Sequence, residues 1–518
     1  MGINTVKGMF DKSKDTSALW HLFRERTSSL SKRQAISTAQ GEMTFETLFK
    51  VAERLAAGLA NAGVKEGNIV GLAVPNSLAF VPSFLALLKL STTVALVSPK
   101  YRESELQTIA QGLQPQCFLT VSSMAKVLEQ KIAVNKRETI PLTESEDKLG
   151  LIFPLFPAAS STPAHFNSSF ELLLKKNAAL IKFTSGSTGV PKGIVVTADN
   201  VLAEAQNVTA TLALTPGDRI LAPVPIFHSY GFDLGVLAML FSGATLILRD
   251  TFVPRRVLAD LSHRQVTIFL GVPSMYRIFV ETPLSSVPDL SPIRYLLSCT
   301  APLRPDLITA FYEKFRMPIC QHYGSSETGA VTTHVPSQVL GRLESVGQPM
   351  KNVQLKIIDE KGEEMPTGEE GEVVVKSQVV APGYIMGQPP GESKFRDDTY
   401  RTGDIGLVDE HDFLFLRGRT DDVINVGGFK VSPYEVAQVL ESFTAVREAA
   451  AIGVKDANGE EVVYAVVTLK SPTTENEILA FCHSRLSDYK VPRRIDIRDE
   501  MPRGPSGKIE LSAKDIRL

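Results

Sequence analysis

The chain has little cysteine, a single tryptophan, almost no net charge and no uninterrupted long apolar run, and each shortage closes off a class of function. Its four cysteines, Cys117, Cys299, Cys320 and Cys482, are far apart and form no CxxC pair. That argues against a zinc cluster or a disulfide framework and suits buried thiols in a reducing compartment. The formal net charge is -2, with Lys and Arg spread along the chain, so no nucleic-acid face and no polybasic membrane patch are expected. The most apolar window, Leu78 to Ser98, is broken by Pro82, Lys89 and the Ser91-Thr-Thr93 cluster. It reads as a buried helix followed by a strand, so no integral membrane segment is expected. Met1 to Lys7 lacks a secretory apolar core, Val6 stands where a myristoylation signal needs Ser or Thr, and Ile516-Arg-Leu518 is no clear peroxisomal address. The expected location is cytoplasmic.

What is present is 518 residues, 43% of them hydrophobic, enough for two or more domains with sizeable cores. Residues 44 to 64 start with Thr44 as a helix cap, carry Leu48, Val51, Leu55 and Leu59 at helical spacing, and stop at Asn61-Ala-Gly63. Ile69 to Val74 is a short apolar run between Gly67 and Pro75 and reads as a buried strand. Helix 78–90, strand 93–97, helix 103–112 and strand 117–121 follow, an alternation that predicts a parallel sheet covered by helices. Residues 131 to 170 break the rhythm and are expected to be an irregular surface excursion. From 200 to 320 the alternation resumes as a second α/β layer, with strands near 219–222, 244–248, 267–270 and 294–298. After about 345 short strands and turns predict a small β subdomain, and residues 421 to 518 form a separate module.

The densest chemistry lies in Leu180-Ile-Lys-Phe-Thr-Ser-Gly-Ser-Thr-Gly-Val-Pro-Lys-Gly-Ile-Val-Val-Thr197. Gly186, Gly189 and Gly193 allow backbone conformations closed to other residues, so amides can converge on an anion. Thr184, Ser185, Ser187 and Thr188 add neutral donors, and Lys192 adds charge. The order Pro191-Lys192-Gly193 followed by a β-rich run is not that of the nucleoside-triphosphatase P-loop, where a helix begins directly after the lysine. Ser/Thr/Gly loops are often plain surface connections, but the lysine and the flanking strands favour a polyphosphate cradle.

Four further clusters suit nucleotide chemistry. Tyr323-Gly-Ser-Ser-Glu-Thr-Gly329 sets an aromatic face, hydroxyls and one carboxylate on a tight turn, a donor set compatible with Mg²⁺ at Glu327. Tyr400-Arg-Thr-Gly-Asp404 ends a predicted strand with a carboxylate suited to ribose hydroxyls. Gly418-Arg-Thr-Asp-Asp422 leads into Val423-Ile-Asn-Val-Gly-Gly-Phe-Lys430, and Pro502-Arg-Gly-Pro-Ser-Gly-Lys508 sits on a Gly/Pro loop. Each alone is a turn signal.

In this order the set resembles the acyl-adenylate-forming superfamily of acyl-CoA synthetases, aryl-CoA ligases, luciferases and nonribosomal adenylation domains, most of all its acyl-CoA synthetases. The resemblance runs from Ser98-Pro-Lys-Tyr101 to Lys508. It implies an α/β fold: a large N-terminal domain, residues 1–418, of two helix-covered α/β sheet subdomains plus a small β subdomain, and a small mobile α+β C-terminal domain, residues 421–518, behind a hinge at Asp421. It makes Thr184, Ser185, Gly186, Ser187, Thr188, Gly189 and Lys192 the phosphate segment, Glu327 the magnesium ligand, Ser326 a phosphate contact and Tyr323 an adenine neighbour. Asp404 and Arg419 would bind ribose, Lys508 would serve adenylation, and Gly427 and Gly428 would line the path of the thiol.

The implied activity is ATP-dependent conversion of a carboxylic acid to acyl-AMP with release of pyrophosphate, then transfer to CoA. The alternatives are loading of a fatty or aryl acid onto the phosphopantetheine arm of an acyl carrier protein, and a non-catalytic nucleotide-binding homologue. Pro225-Ile-Phe-His-Ser-Tyr-Gly231 resembles the segment lining the acid pocket, with His228 beside the carboxylate and Ser229 and Tyr230 next to it. Phe232-Asp-Leu-Gly235 imitates the Phe-Asp motif of amino-acid-activating domains, but the register sets the amino-binding position near the neutral Ser229, which argues against amino acids. In Ser298-Cys-Thr-Ala-Pro302, Cys299 and Thr300 replace the usual small residues and would shorten or reshape the pocket, leaving fatty, aryl and other acids open.

Overall fold

The computed structural model describes residues 16–142, 148–154, 177–184, 191–386, 394–420, 424–426, 429–456, 461–503, 509 and 511. The chain divides into two compact units, Met1–Gln354 with Val375–Tyr400, and Leu355–Val374 with Arg401–Leu518. The architecture is α/β, with large sheets in the N-terminal part and a small C-terminal module. Among the described residues no helix is long and apolar enough to cross a membrane.

The first unit holds two sheets. One has eight strands in the order Gly383–Met386, Lys192–Thr197, Ala178–Thr184, Thr93–Leu96, Ile69–Leu72, Cys117–Val121, Lys148–Pro154 and Val134–Pro141. Its centre is parallel, and the outer strands on both sides are antiparallel. The central strands are apolar on both faces, as helix-covered parallel strands are. The helix Phe45–Asn61 is capped by Thr44, whose Oγ1 accepts from the Thr47 amide at 3.2 Å, and it buries the Leu48, Val51, Leu55 and Leu59 stripe. The second sheet has nine strands in the order Gln348–Pro349, Gly329–Thr333, Cys320–Ser325, Tyr295–Ser298, Ile268–Gly271, Arg219–Ala222, Thr245–Leu248, Gln34–Ser37 and Glu42–Thr44.

The stretch 131 to 170, expected to be irregular, is regular where it is described, at 134–141 and 148–154. It contains the strands Val134–Pro141 and Lys148–Pro154, paired antiparallel at one edge of the eight-stranded sheet. Lys136, Arg137 and Glu138 are the charges that suggested a loop, and an edge strand open to water accepts them. Residues 155–170 lie outside the described part.

In the second unit, Leu414–Arg419 pairs antiparallel with the strand Thr399–Val408 along Asp404 to Val408. The strands Val446–Lys455 and Glu461–Leu469 are antiparallel, and Arg494–Ile497 adds to the latter in parallel. The helix Pro433–Ser442 buries Val436 and Leu440 against Val463, Val467 and Ile478 of this module.

Candidate functional site

The phosphate segment joins two antiparallel strands whose register sets Thr184 opposite Lys192, so both half-buried side chains stand at the mouth of the connection. Ser185, Gly186, Ser187, Thr188 and Gly189 lie outside the described residues. Gly193 is explained differently from the sequence reading. It is an ordinary residue of the strand Lys192–Thr197, and a Cβ there would stand 2.8 Å from Met386 Cγ and 2.9 Å from Ile385 Cγ2. Its use is close strand packing, not an unusual backbone angle.

Glu327 sits on the turn between Cys320–Ser325 and Gly329–Thr333. Ser325 and Thr328 close this turn: the Ser325 amide donates to Thr328 Oγ1 at 3.1 Å and the Thr328 amide to Ser325 Oγ at 3.3 Å. Gly329 has φ +64°, and a Cβ there would lie 2.4 Å from Val379 Cγ1 and 2.5 Å from Glu204 Oε2, so the position tolerates only glycine. Glu327 is 9% exposed. Its Oε1 accepts from the Tyr384 hydroxyl at 2.8 Å, and its carbonyl accepts from the Ala381 amide at 2.9 Å. Tyr384 lies on Gly383–Met386, the neighbour of the Lys192 strand, and its hydroxyl is 3.1 Å from that of Tyr400. Burial, then the adjacent Glu327, raise the Tyr384 phenol above its ordinary range, so it stays a donor.

The donor set fits magnesium. One oriented carboxylate and neighbouring hydroxyls are oxygen ligands only, and Mg²⁺ typically takes one or two protein carboxylates and completes its shell with water and phosphate. Glu327 would hold the ion. Tyr384→Phe, which removes the donor that orients this carboxylate, is expected to weaken magnesium-dependent ATP binding about 10-fold, at the lower end for such outer partners. Calorimetric titration with and without magnesium checks this.

Ser326 Oγ lies 2.7 Å from Ser229 Oγ, which brings the Glu327 turn against the segment expected to meet the acid. Tyr323 is half-buried on the strand leading to the turn. His228 is the residue before the short helix Ser229–Gly231, which continues into a widened π-helical turn, Phe232–Leu237. Such turns are frequent at functional sites. Tyr230 is buried and stacks on His322 at 5.9 Å between ring centroids. Its hydroxyl has no good hydrogen-bond partner among the described residues, and burial raises its pKa further. Burial pushes His322 down to about 4, so the imidazole is neutral.

Cys299 is buried and Thr300 adopts φ +75°, a conformation that strains a β-branched residue. Thr300→Gly is expected to raise stability by about 1 kcal/mol, because relief of strain exceeds the added chain entropy. The denaturant midpoint measures it.

Asp233 does not face a substrate ammonium. Both its oxygens accept from Lys182 Nζ at 2.7 Å, and both side chains are buried. Glu204 lies close by, 2% exposed, and its Oε1 accepts from the Ala330 amide at 3.0 Å. Burial, and then the charge of Asp233, push the Glu204 carboxyl well above its ordinary range.

In the second unit Asp404 and Arg419 are cross-strand partners, with Arg419 Nη1 2.6 Å from Asp404 Oδ1. Asp404 lies inside the strand Thr399–Val408, not at its end as the sequence suggested. Asp421, Gly427, Gly428 and Lys508 lie outside the described residues. Sequence reasoning missed Lys182, Glu204 and Tyr384 and judged Asp233 only by register. The available signal was that Lys182 and Asp233 are lone charges in apolar runs, which seldom stay buried without partners.

Comparison with known proteins identifies the family and the fold. A profile described as AMP-binding enzyme matches residues 23–385, and one described as AMP-binding enzyme C-terminal domain matches residues 435–508. The chain is 30% identical to an oxalate–CoA ligase of Arabidopsis thaliana, covering 96% of this chain and 98% of that protein. It is 33% identical to a 2-succinylbenzoate–CoA ligase of Geobacillus kaustophilus (strain HTA426), covering 94% and 95%. Among solved structures it resembles the o-succinylbenzoate CoA synthetase of Bacillus subtilis in complex with an acyl-adenylate intermediate, with TM-score 0.80, 26% identity and coverage of 96% and 98%. The same synthetase with ATP and a magnesium ion gives TM-score 0.79, 27% identity and coverage of 95% and 98%.

Proposed function

Because this chain belongs to the AMP-binding enzyme family, we propose that its residues divide the work of an AMP-forming acid–thiol ligase as follows. The protein converts a carboxylic acid and ATP to acyl-AMP and pyrophosphate, then transfers the acyl group to CoA. A carboxylate is a poor electrophile and ATP is a polyanion, and two unit charges about 4 Å apart repel by roughly 4 kcal/mol at an effective dielectric of 20. Thr184, Lys192 and the hydroxyls between them hold the β and γ phosphates, and Lys508 offsets the charge at the reacting end. Magnesium, when bound at Glu327, neutralises phosphate charge.

The observation that carries this reading is the Ser229–Ser326 contact at 2.7 Å, which joins the acid segment to the phosphate and metal turn. Carboxylate and α-phosphate have to meet at such a junction. His228, one residue earlier, orients the acid, and Asp404 with Arg419 receives the ribose. Tyr323 flanks the adenine. Rotation about Asp421 would withdraw Lys508 and present Gly427 and Gly428 to the thiol, a domain-scale gate between the two steps.

The Tyr230–His322 stack with Cys299 and Thr300 favours a compact acid over a straight long chain. Oxalate and 2-succinylbenzoate, the acids of two relatives, are both compact. Asp233 is already paired with Lys182, which supports the exclusion of amino acids. Four buried cysteines, none of them in a disulfide, suit the cytoplasm.

Pyrophosphate exchange over a panel of oxalate, aryl, alkyl and amino acids tests the reading, followed by product mass with CoA or with a carrier protein. Exchange with a compact acid and a CoA thioester are expected. ATP binding without exchange for any acid would favour a non-catalytic homologue.

A further inference from the structure

Three ionisable side chains meet inside the first unit, and none is among the residues assigned above to substrate. Lys182 lies on the strand that enters the phosphate segment, Asp233 on the π-turn that follows the acid segment, and Glu204 on the helix Ala198–Thr211. All three line one small pocket, whose wall also includes Ser326 and Gly329. Glu204 Oε2 has no hydrogen-bond partner among the described residues.

Burying such groups is rarely the most stable way to fill a core, and apolar side chains of similar volume often do better. Position is what this cluster supplies. Glu204 Oε1 holds the Ala330 amide at 3.0 Å, and Oε2 would stand only 2.5 Å from a Cβ on Gly329, so the carboxyl is seated against the base of the Ser326–Glu327 turn. One turn earlier on the same helix face, Asn200 Nδ2 donates to the Gln378 carbonyl at 2.7 Å and the Val380 carbonyl at 3.1 Å. The next amide along, that of Ala381, donates to the Glu327 carbonyl. One helix therefore grips both chain segments that flank Glu327. The helix is itself anchored to the phosphate hairpin, because its cap Thr197 ends the Lys192 strand and exchanges hydrogen bonds with Asn200. The Lys182–Asp233 pair ties the other strand of that hairpin to the turn after His228.

We propose that Glu204, braced by the Lys182–Asp233 pair, is a positioning residue that fixes the Ser326–Glu327 turn for binding of magnesium with ATP, an assignment that rests on the ligase reading. It touches neither substrate. Its contribution is to hold the one carboxylate and one hydroxyl of the turn in register with the phosphate segment.

The test uses the full chain with Glu204→Met, which fills the space but cannot accept the Ala330 amide, and Glu204→Gln, whose amide oxygen still can. Glu204→Ala serves if the Met variant does not accumulate. Calorimetry with ATP plus magnesium and with ATP alone is run beside the thermal midpoint and acid-dependent pyrophosphate exchange. The expected result is a loss of about 10–100-fold in magnesium–ATP affinity for Glu204→Met, the range for partners that orient a metal ligand. Affinity for ATP alone and KM for the acid should be little changed, kcat should fall with magnesium–ATP affinity, and Glu204→Gln should restore near-normal values. A Met variant that is less stable yet binds magnesium–ATP like the parent, or a Gln variant as impaired as the Met variant, overturns the assignment. A parent protein that exchanges with acid while Glu204→Met is unaffected removes only this role. A parent that exchanges with no acid removes the ligase reading, and the magnesium–ATP comparison still decides for or against Glu204.

Discussion

Replacing Lys508 by alanine is expected, on the proposed role, to slow acyl-adenylate formation by about 10²–10³-fold, on the scale of losing one donor to a transition-state oxyanion, and to leave thioester formation from supplied acyl-AMP nearly intact. The reason is a difference of charge between the two steps. Adenylation brings a carboxylate onto the α-phosphate and builds negative charge there, so a cation at that point is worth most in the transition state. Thiol attack on acyl-AMP happens at a carbonyl after pyrophosphate has left, where the same cation would obstruct the thiol. Pyrophosphate exchange reports the first step, and single-turnover reaction of synthetic acyl-AMP with CoA reports the second. Equal damage to both would sink the assignment of Lys508.

The second large effect is on stability. Lys182→Ala or Asp233→Ala leaves one buried charge without its partner and is expected to cost about 3–5 kcal/mol. The double variant Lys182→Met with Asp233→Leu should recover most of that loss, because a well-packed apolar pair avoids the desolvation penalty. Urea midpoints of the three variants measure this. A loss under about 1 kcal/mol for either single variant, the range of an exposed pair, would contradict the buried geometry. Recovery of stability in the double variant without recovery of magnesium–ATP affinity would separate the pair's packing from its part in positioning.

The parts of the fold that were legible in the sequence are those fixed by near neighbours. The helix Phe45–Asn61 has its cap, apolar stripe and stop within a few residues, and it lies within the predicted span. Central parallel strands such as Ile69–Leu72 and Thr93–Leu96 announce themselves because burial on both faces demands an unbroken apolar run. The edge strand Val134–Pro141 did not, since water accepts its charges and the composition then matches that of a loop. Lys182 and Asp233 are 51 residues apart, and Tyr384 and Glu327 are 57 apart. No local pattern couples such positions. Gly193 carried a signal that was misattributed, since glycine in a sequence does not say whether its use is an angle or a space.

The two serine hydroxyls at 2.7 Å share a single hydrogen between their oxygens, and either can supply it. A serine hydroxyl has one hydrogen to give. Under the proposed roles, a phosphate oxygen that takes the hydrogen of Ser326 obliges Ser229 to point its own toward Ser326, and so away from the acid. An acid carboxylate that arrives first imposes the opposite polarity. With those roles the pair would be a two-position relay in which the first anion to bind sets the direction the second must meet, and ATP and acid would then show antagonistic rather than independent occupancy at this junction.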